Sequence, residues 1–252
     1  MSTRHAFPRV KVQSMDFGEC IVSLPKPGIK VLRKFGFNAT VGATEETIWD
    51  GSGVYDGYRG GAGDEFTIVS DDVADDNGGT GAITVQVYGL DADGNEQDEL
   101  ITLNGTGSMK SSGKYTRVFR AIVRTAGSSG SNTGTITIAD EAATITWAEI
   151  KPLRNQTLMA VWTVPTGYTA FLTSYYANSD VVSKATLAVL RVRPPGEVFQ
   201  TKSIIAINGS ADGHEFKFPM PLVAGTDIIV TGAATGGGGS IAAGFDLWYE
   251  LD

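Results

Sequence analysis

From residue 66 onward, apolar side chains fall on alternate positions. Phe66 and Ile68 alternate with Thr67 and Val69, and Ile83, Val85 and Val87 alternate with Thr84, Gln86 and Tyr88. A period of two marks a strand with one face buried. Asp93-Gly94 is a hairpin signal, with Leu100–Leu103 as the return strand. Phe119, Ala121 and Val123 line one face of a further strand, and Ile136 and Ile138 alternate with threonines beyond the loop at 126–134. The pattern pauses around Lys151–Gln156. It resumes at Leu158–Val164, Thr169–Tyr176, Leu187–Arg193, Ser203–Ile207, His214–Phe218, Asp227–Thr231 and Phe245–Leu251. Val181–Val192 and Ala139–Ile150 could be helical, but their β-branched residues favour strands.

The pattern predicts an all-β chain of two β-sandwich subdomains, the second jelly-roll-like, preceded by an extended N-terminal arm. Residues 1–35, with Pro8, Pro25, Pro27 and weak alternation at Val10 and Val12, read as the arm. Residues 36–152 read as the first sandwich and 153–252 as the second. Within the first, 36–63 reads as an irregular region pinned by Ile48, Trp49, Tyr55 and Tyr58.

Composition changes this picture in two ways. The 32 glycines among 252 residues suit many short strands and tight turns. Charge divides the chain unevenly. The first 34 residues hold Arg4, Arg9, Lys11, Lys26, Lys30, Arg33 and Lys34 against Asp16 and Glu19, whereas the whole chain carries −8. A basic arm on an acidic body points to attachment, with those seven basic residues as the partner-binding set. The acidic body argues against broad nucleic-acid binding. No apolar run approaches the ~20 residues of a membrane-spanning helix. MSTRHAFPRVKVQ lacks the apolar core of a secretory signal, and one cysteine permits no intrachain disulfide. These features read as synthesis in a reducing cytoplasm.

The candidate chemistry is sparse. Asp91, Asp93, Asn95, Glu96, Asp98 and Glu99 crowd together, but their order does not match a calcium loop, and the hairpin turn explains Asp93-Gly94. Asp71, Asp72, Asp75 and Asp76 read as a second acidic, solvated loop. His5 and His214 are far apart and have no sequence companion for a triad or zinc site. Cys20 reads as an apolar filler, and Gly236–Gly239 lacks the ending of a phosphate loop. No catalytic, cofactor or metal residue is assigned, and the chain is expected not to be an enzyme. Trp248 lies opposite the Phe245-Leu247-Tyr249-Leu251 face, beside Asp246 and Glu250, and reads as a subunit contact.

Several phrases resemble structural proteins of tailed phages from marine and other environments. They are KFGFNATVGATEETIWDGSGVY (34–55), VQVYGLDADGNEQDELITLNGTG (85–107), YTRVFRAIVRTAGSSGSNTGTITI (115–138), QTLMAVWTVPTGYTAFLTSYYA (156–177) and AGFDLWYELD (243–252). The resemblance implies a virion structural protein. Such subunits serve as capsid decoration (cement) proteins, head fibres, or collar and tail attachments. The leading expectation is a decoration protein that binds the major capsid protein or other virion proteins through its arm. By analogy it would be a homo-oligomer, a trimer. The alternatives are a tail, collar or fibre-attachment component and a receptor- or carbohydrate-binding module. Residues 1–33 lie outside the matched phrases.

Overall fold

The computed structural model describes residues 28–51, 53–180 and 185–252. Their regular elements are all strands: β1 (Ile29–Val41), β2 (Glu46–Thr47), β3 (Phe66–Ser70), β4 (Ala82–Leu90), β5 (Glu96–Thr102), β6 (Met109–Lys110), β7 (Arg117–Ala126), β8 (Ile136–Asp140), β9 (Thr146–Ile150), β10 (Val161–Thr163), β11 (Tyr168–Ser179), β12 (Thr186–Arg193), β13 (Gln200–Ile207), β14 (Ala211–Leu222), β15 (Asp227–Ala234) and β16 (Gly239–Leu251). The strands expected from residue 66 onward are present. Both helix-ambiguous stretches contain strands where they are described.

Two antiparallel sandwiches result. In one, sheet β6-β3-β8-β9 packs on sheet β5-β4-β7. Its core is built from alternate strand positions: Phe66 and Ile68, Val85 and Val87, Ile136 and Ile138, with Trp147 and Ile150. In the other, sheet β1-β16-β11-β14 faces β10-β15-β12-β13. There β1 pairs with β16, β10 with β15, β11 with β14 and β12 with β13, each antiparallel. First pairs with last, and so on inward, as in one long antiparallel ribbon rolled onto itself. That is jelly-roll pairing.

The division between the sandwiches differs from the expected one. Residues 28–35 are no free arm, because β1 runs through the boundary at 35 and pairs with β16 over nearly its whole length. The expected unit 36–152 also loses its first strands to the jelly roll. β2 and β10 both pair with β15, at Thr231 and at Ile229 respectively. The ladder passes from one to the other at Val230. Its carbonyl accepts from Ile48 N at 2.9 Å, and its own N–H donates to Ala160 O at 3.1 Å. One strand position of the jelly roll is therefore split, and the first sandwich is inserted at the split. Gly36 fits this crossing, since a Cβ there would lie 2.1 Å from Ile48 O.

A buried ion cluster holds the insert on the jelly roll. Asp227, 2% exposed at the start of β15, sits between Arg117 of β7 and Arg193 of β12. Its Oδ1 accepts from Arg117 Nε at 2.9 Å and Thr163 Oγ1 at 2.6 Å. Its Oδ2 accepts from Arg193 Nε and Nη2 at 2.9 and 2.6 Å. The Tyr58 ring lies 4.9 Å from the Arg117 guanidinium and 4.2 Å from that of Arg193. Burial pushes the Tyr58 phenol well above its ordinary pKa, which keeps it neutral.

Removing the shared carboxylate leaves two guanidinium groups uncompensated. Asp227→Asn is expected to lower stability by ~3–5 kcal/mol in chemical denaturation. Arg33→Ala, which breaks an exposed pair with Asp246, should cost ~0–1 kcal/mol. A loss of under ~1 kcal/mol for Asp227→Asn would remove this cluster as the fastening.

Candidate docking surface around the N-terminal strand

The expected partner-binding set divides once placed. Arg4, Arg9, Lys11 and Lys26, like His5 and Cys20, lie outside the described residues. Lys30, Arg33 and Lys34 are on β1, where strand alternation sends them to opposite faces. Lys30 pairs with Glu96 of the inserted sandwich and lies 4.9 Å from the Tyr168 ring centre. Lys34 is 6% exposed and donates to the carbonyl of Phe119 on β7. These two lysines therefore bind the molecule's own insert. Arg33 points to the opposite, outer face and pairs with Asp246 at 3.0 Å.

Burial pulls the Lys34 ammonium down to about 7, and the nearby positive charge of Arg120 acts in the same direction. Tyr249, the cross-strand partner of Lys30, donates to Glu96 Oε1 at 2.8 Å. At the same joint Thr166 N donates to Gly94 O at 2.8 Å, so the tip of the β4–β5 hairpin rests on the jelly roll.

On the outer face of sheet β1-β16-β11-β14, register places Val31 beside Trp248, and Trp248 beside Phe171. The Phe171 and Trp248 rings stack at 5.0 Å with 12° between their planes. Trp248 is consequently only 8% exposed: it lies on the expected face but forms a floor beneath Phe171. Val31, beside it in register, is 62% exposed, whereas Phe35, at 41%, lies on the same face beyond the Arg33–Asp246 pair. Tyr176 covers Gly244, where a Cβ would lie 2.7 Å from its hydroxyl. Asp246, Glu250 and Glu215 share this face with Arg33 as its basic member.

The acidic clusters have structural work. Asp91 Oδ1 accepts from the N–H groups of Asp93 and Asn95 at 2.9 and 2.8 Å, and Gly94 has φ +78°, which is the expected turn. The loop at 71–76 is not simply solvated. Asp75 is fully buried and accepts from Ser70 Oγ, Ala82 N, Thr133 N and Gly134 N at 2.7–2.9 Å. A carboxylate with that many donors pins the two loops together. His214 packs edge-on against Phe216 at 4.8 Å. Among the described residues, no three His, Cys, Asp or Glu side chains converge on a metal position, and no helix is long and apolar enough to cross a membrane.

Sequence reading missed the Asp227 cluster. The available signal was an aspartate opening the apolar strand DIIV, together with arginines at alternate positions in Arg191-Val192-Arg193.

No family model matches the chain, and no curated protein matches it. Solved structures similar to it include that of the infectious bursal disease virus Gt strain, at 10% identity and TM-score 0.19, covering 89% of this chain and 77% of that chain. The Gx strain structure has 9% identity and TM-score 0.22, covering 89% and 76%. Particles derived from the same virus have 8% identity and TM-score 0.21, covering 89% and 74%. Similarity at TM-scores of 0.19–0.22 carries no weight here, and the jelly roll rests on its own strand pairing.

Lys34 gives a pH signature. Its folded pKa near 7 lies below the ordinary 10.5. Below pH 7 the folded protein carries the buried charge and bears the full penalty. Between pH 7 and 10.5 the unfolded chain keeps a proton that the folded one has released, so stability rises with pH. Each tenfold change in proton affinity is worth ~1.4 kcal/mol, less the cost of leaving the Phe119 carbonyl without its donor. Lys34→Met should therefore be more stable than the parent at pH 6 by about 1–3 kcal/mol, with the gain shrinking toward pH 10. Parallel urea titrations across pH check this. A difference independent of pH would mean that Lys34 is charged or neutral in both states alike.

Proposed function

We propose that the protein is a structural component of a virion. More specifically, it is a capsid decoration protein of a tailed phage that binds the major capsid protein through residues N-terminal to β1. It works by binding alone and assigns no residue to catalysis. Its partners are virion proteins, with homo-oligomeric, trimeric contacts among its own copies, and it requires neither nucleic acid nor membrane.

The observation that carries this reading is the way the chain enters its body. A basic segment meets an acidic two-sandwich body at Gly28, directly before the edge strand β1. Lys30 and Lys34 are already engaged with the insert, so the charge available for a partner lies in Arg4, Arg9, Lys11 and Lys26. An extended segment gains main-chain hydrogen bonds by adding to a partner's sheet edge, and symmetry multiplies weak contacts into avidity. The phage-like phrases support the same reading. The 85–107 phrase forms the hairpin that rests on the jelly roll, and the 34–55 phrase begins on β1 and runs across β2.

Removing residues 1–27 leaves every described strand in place, whereas a cut at 33 would remove the beginning of β1. The shorter truncation should abolish binding to expanded phage heads in a sedimentation assay. Full occupancy by the truncated protein would overturn the arm mechanism. Copy number from quantitative mass spectrometry of virions separates the locations. Hundreds of copies fit the shell, and a small multiple of the tail symmetry would place the protein at the collar or tail instead.

A further inference from the structure

β1 ends one side of sheet β1-β16-β11-β14, and β5 ends one side of sheet β5-β4-β7. Along an antiparallel pair, successive residues turn their backbone groups alternately toward the partner strand and away from it. Leu251 N donates to Gly28 O at 3.3 Å, so even-numbered residues of β1 face β16. Ile29, Val31, Arg33 and Phe35 face away. Phe37 agrees with this parity, because its N–H turns from β16 and donates to Leu158 O at 3.4 Å. In β5, the bonds from Asp91 N to Asn95 O and from Leu103 N to Ile83 O turn the odd-numbered residues toward β4. Glu96, Asp98, Leu100 and Thr102 face away. None of these outward residues has a backbone partner on that side among the described residues. Neither Ile29–Phe35 nor β5 carries a proline or a bulge, the usual protections of an edge. We propose that the β1 edge of one copy of this chain pairs, antiparallel, with the β5 edge of a second copy.

Register and charge select that occupant. β5 is seven residues long, which matches Ile29–Phe35. Full antiparallel overlap sets Val31 opposite Leu100 and Arg33 opposite Asp98, with Ile29 opposite Thr102 and Phe35 opposite Glu96 at the ends. Val31 and Leu100 are 62% and 55% exposed. Arg33 engages Asp246 through Nε alone, and its side chain is 75% exposed. Asp98 accepts from Gln86 through Oδ2 at 2.5 Å, which leaves Oδ1 for a further donor. The two central pairs therefore match apolar with apolar and cation with carboxylate, the cross-strand pairs that stabilise a sheet. The same overlap of β1 with another β1 sets Arg33 against Val31, and of β5 with another β5 sets Asp98 against Leu100. Both put a charge opposite an exposed apolar group. Within one chain the two edges do not meet in this register, because Glu96 sits at Lys30 rather than at Phe35.

Main-chain hydrogen bonds would supply the attraction and the side-chain pairs the register. Each copy offers one edge of each kind, so contacts pass from copy to copy until the assembly closes. The inference rests on the self-association in the proposed function and is independent of binding to the phage head.

Proline at an outward position deletes an outward N–H and leaves the internal ladder intact. Val31→Pro does this on β1 and Leu100→Pro on β5. Sedimentation velocity of the full-length protein, under reducing conditions that keep Cys20 from cross-linking copies, should show an oligomer for wild type and a monomer for each variant. An equimolar mixture of the two variants should give a two-chain species, because one variant keeps its β5 edge and the other its β1 edge. A second route avoids proline. Arg33→Asp should weaken association by about 5-fold, and adding Asp98→Arg should restore it. A monomeric wild type would overturn the proposal. So would an oligomer that survives either proline, or a charge swap without recovery. Any of these would leave the sedimentation assay with phage heads unaffected, so the two readings fail separately.

Discussion

The architecture depends on β15. On one side it pairs with β12; on the other it receives β2 and then β10, with the ladder changing hands at Val230. Its first residue, Asp227, holds arginines from both sandwiches. Backbone bonds tie the insert to the jelly roll at the two crossings beside Val230 and at Gly94, whose carbonyl accepts from Thr166 N. The carboxylate adds a buried, charged point of attachment. Such a buried cluster is weak as a source of stability, because desolvation consumes much of the Coulomb gain. Its value is orientation. Each carboxylate oxygen is held by more than one donor, and both guanidinium groups lie against the Tyr58 ring, so few arrangements of the two sandwiches satisfy the charges.

The same logic explains why two basic residues of the N-terminal region face inward. Lys30 reaches Glu96 on the inserted sandwich, and Lys34 reaches the Phe119 carbonyl. They occupy alternate positions on one strand and meet successive parts of the insert, so β1 fastens the first sandwich as well as completing the jelly roll. The two contacts have opposite electrostatic character. Burial opposes the charge on both lysines, but at Lys30 Glu96 outweighs it and favours the charged form, whereas at Lys34 burial prevails. One lysine strengthens the joint as an ion pair, and the other fills a buried position at a pH-dependent cost.

Much of this was legible in the sequence because alternation is local. Phe66/Ile68, Val85/Val87 and Phe245/Leu247/Tyr249 each announce a strand and its buried face. Asp93-Gly94 announces its turn because positive φ at a glycine is a local requirement. Partnership is not local. The jelly roll pairs β1 with β16, its first strand with its last, and nothing near Ile29 names Glu250 as its neighbour. The arm boundary at 35 and the contiguous first domain followed from that gap. The burial of Asp75 was hidden for a related reason: its donors at Thr133 and Gly134 come from a loop distant in sequence. Trp248 was assigned to the right face, but its cover, Phe171, belongs to another strand.

The two open edges of the sheet are built differently, and that difference bears on how the protein makes contacts. An uncovered edge strand invites uncontrolled pairing, and prolines or bulges are the usual protection. β14 has both. Residues 216–219 bulge out opposite Thr173, and Pro219 and Pro221 lack N–H donors. β1 has neither over most of its length. Its register with β16 runs unbroken from Ile29 to Asn38, without a proline. A sheet protected at one edge and regular at the other can use the second as a directed contact. The chain enters the body at Gly28, directly before β1, so the regular edge and the point of entry coincide.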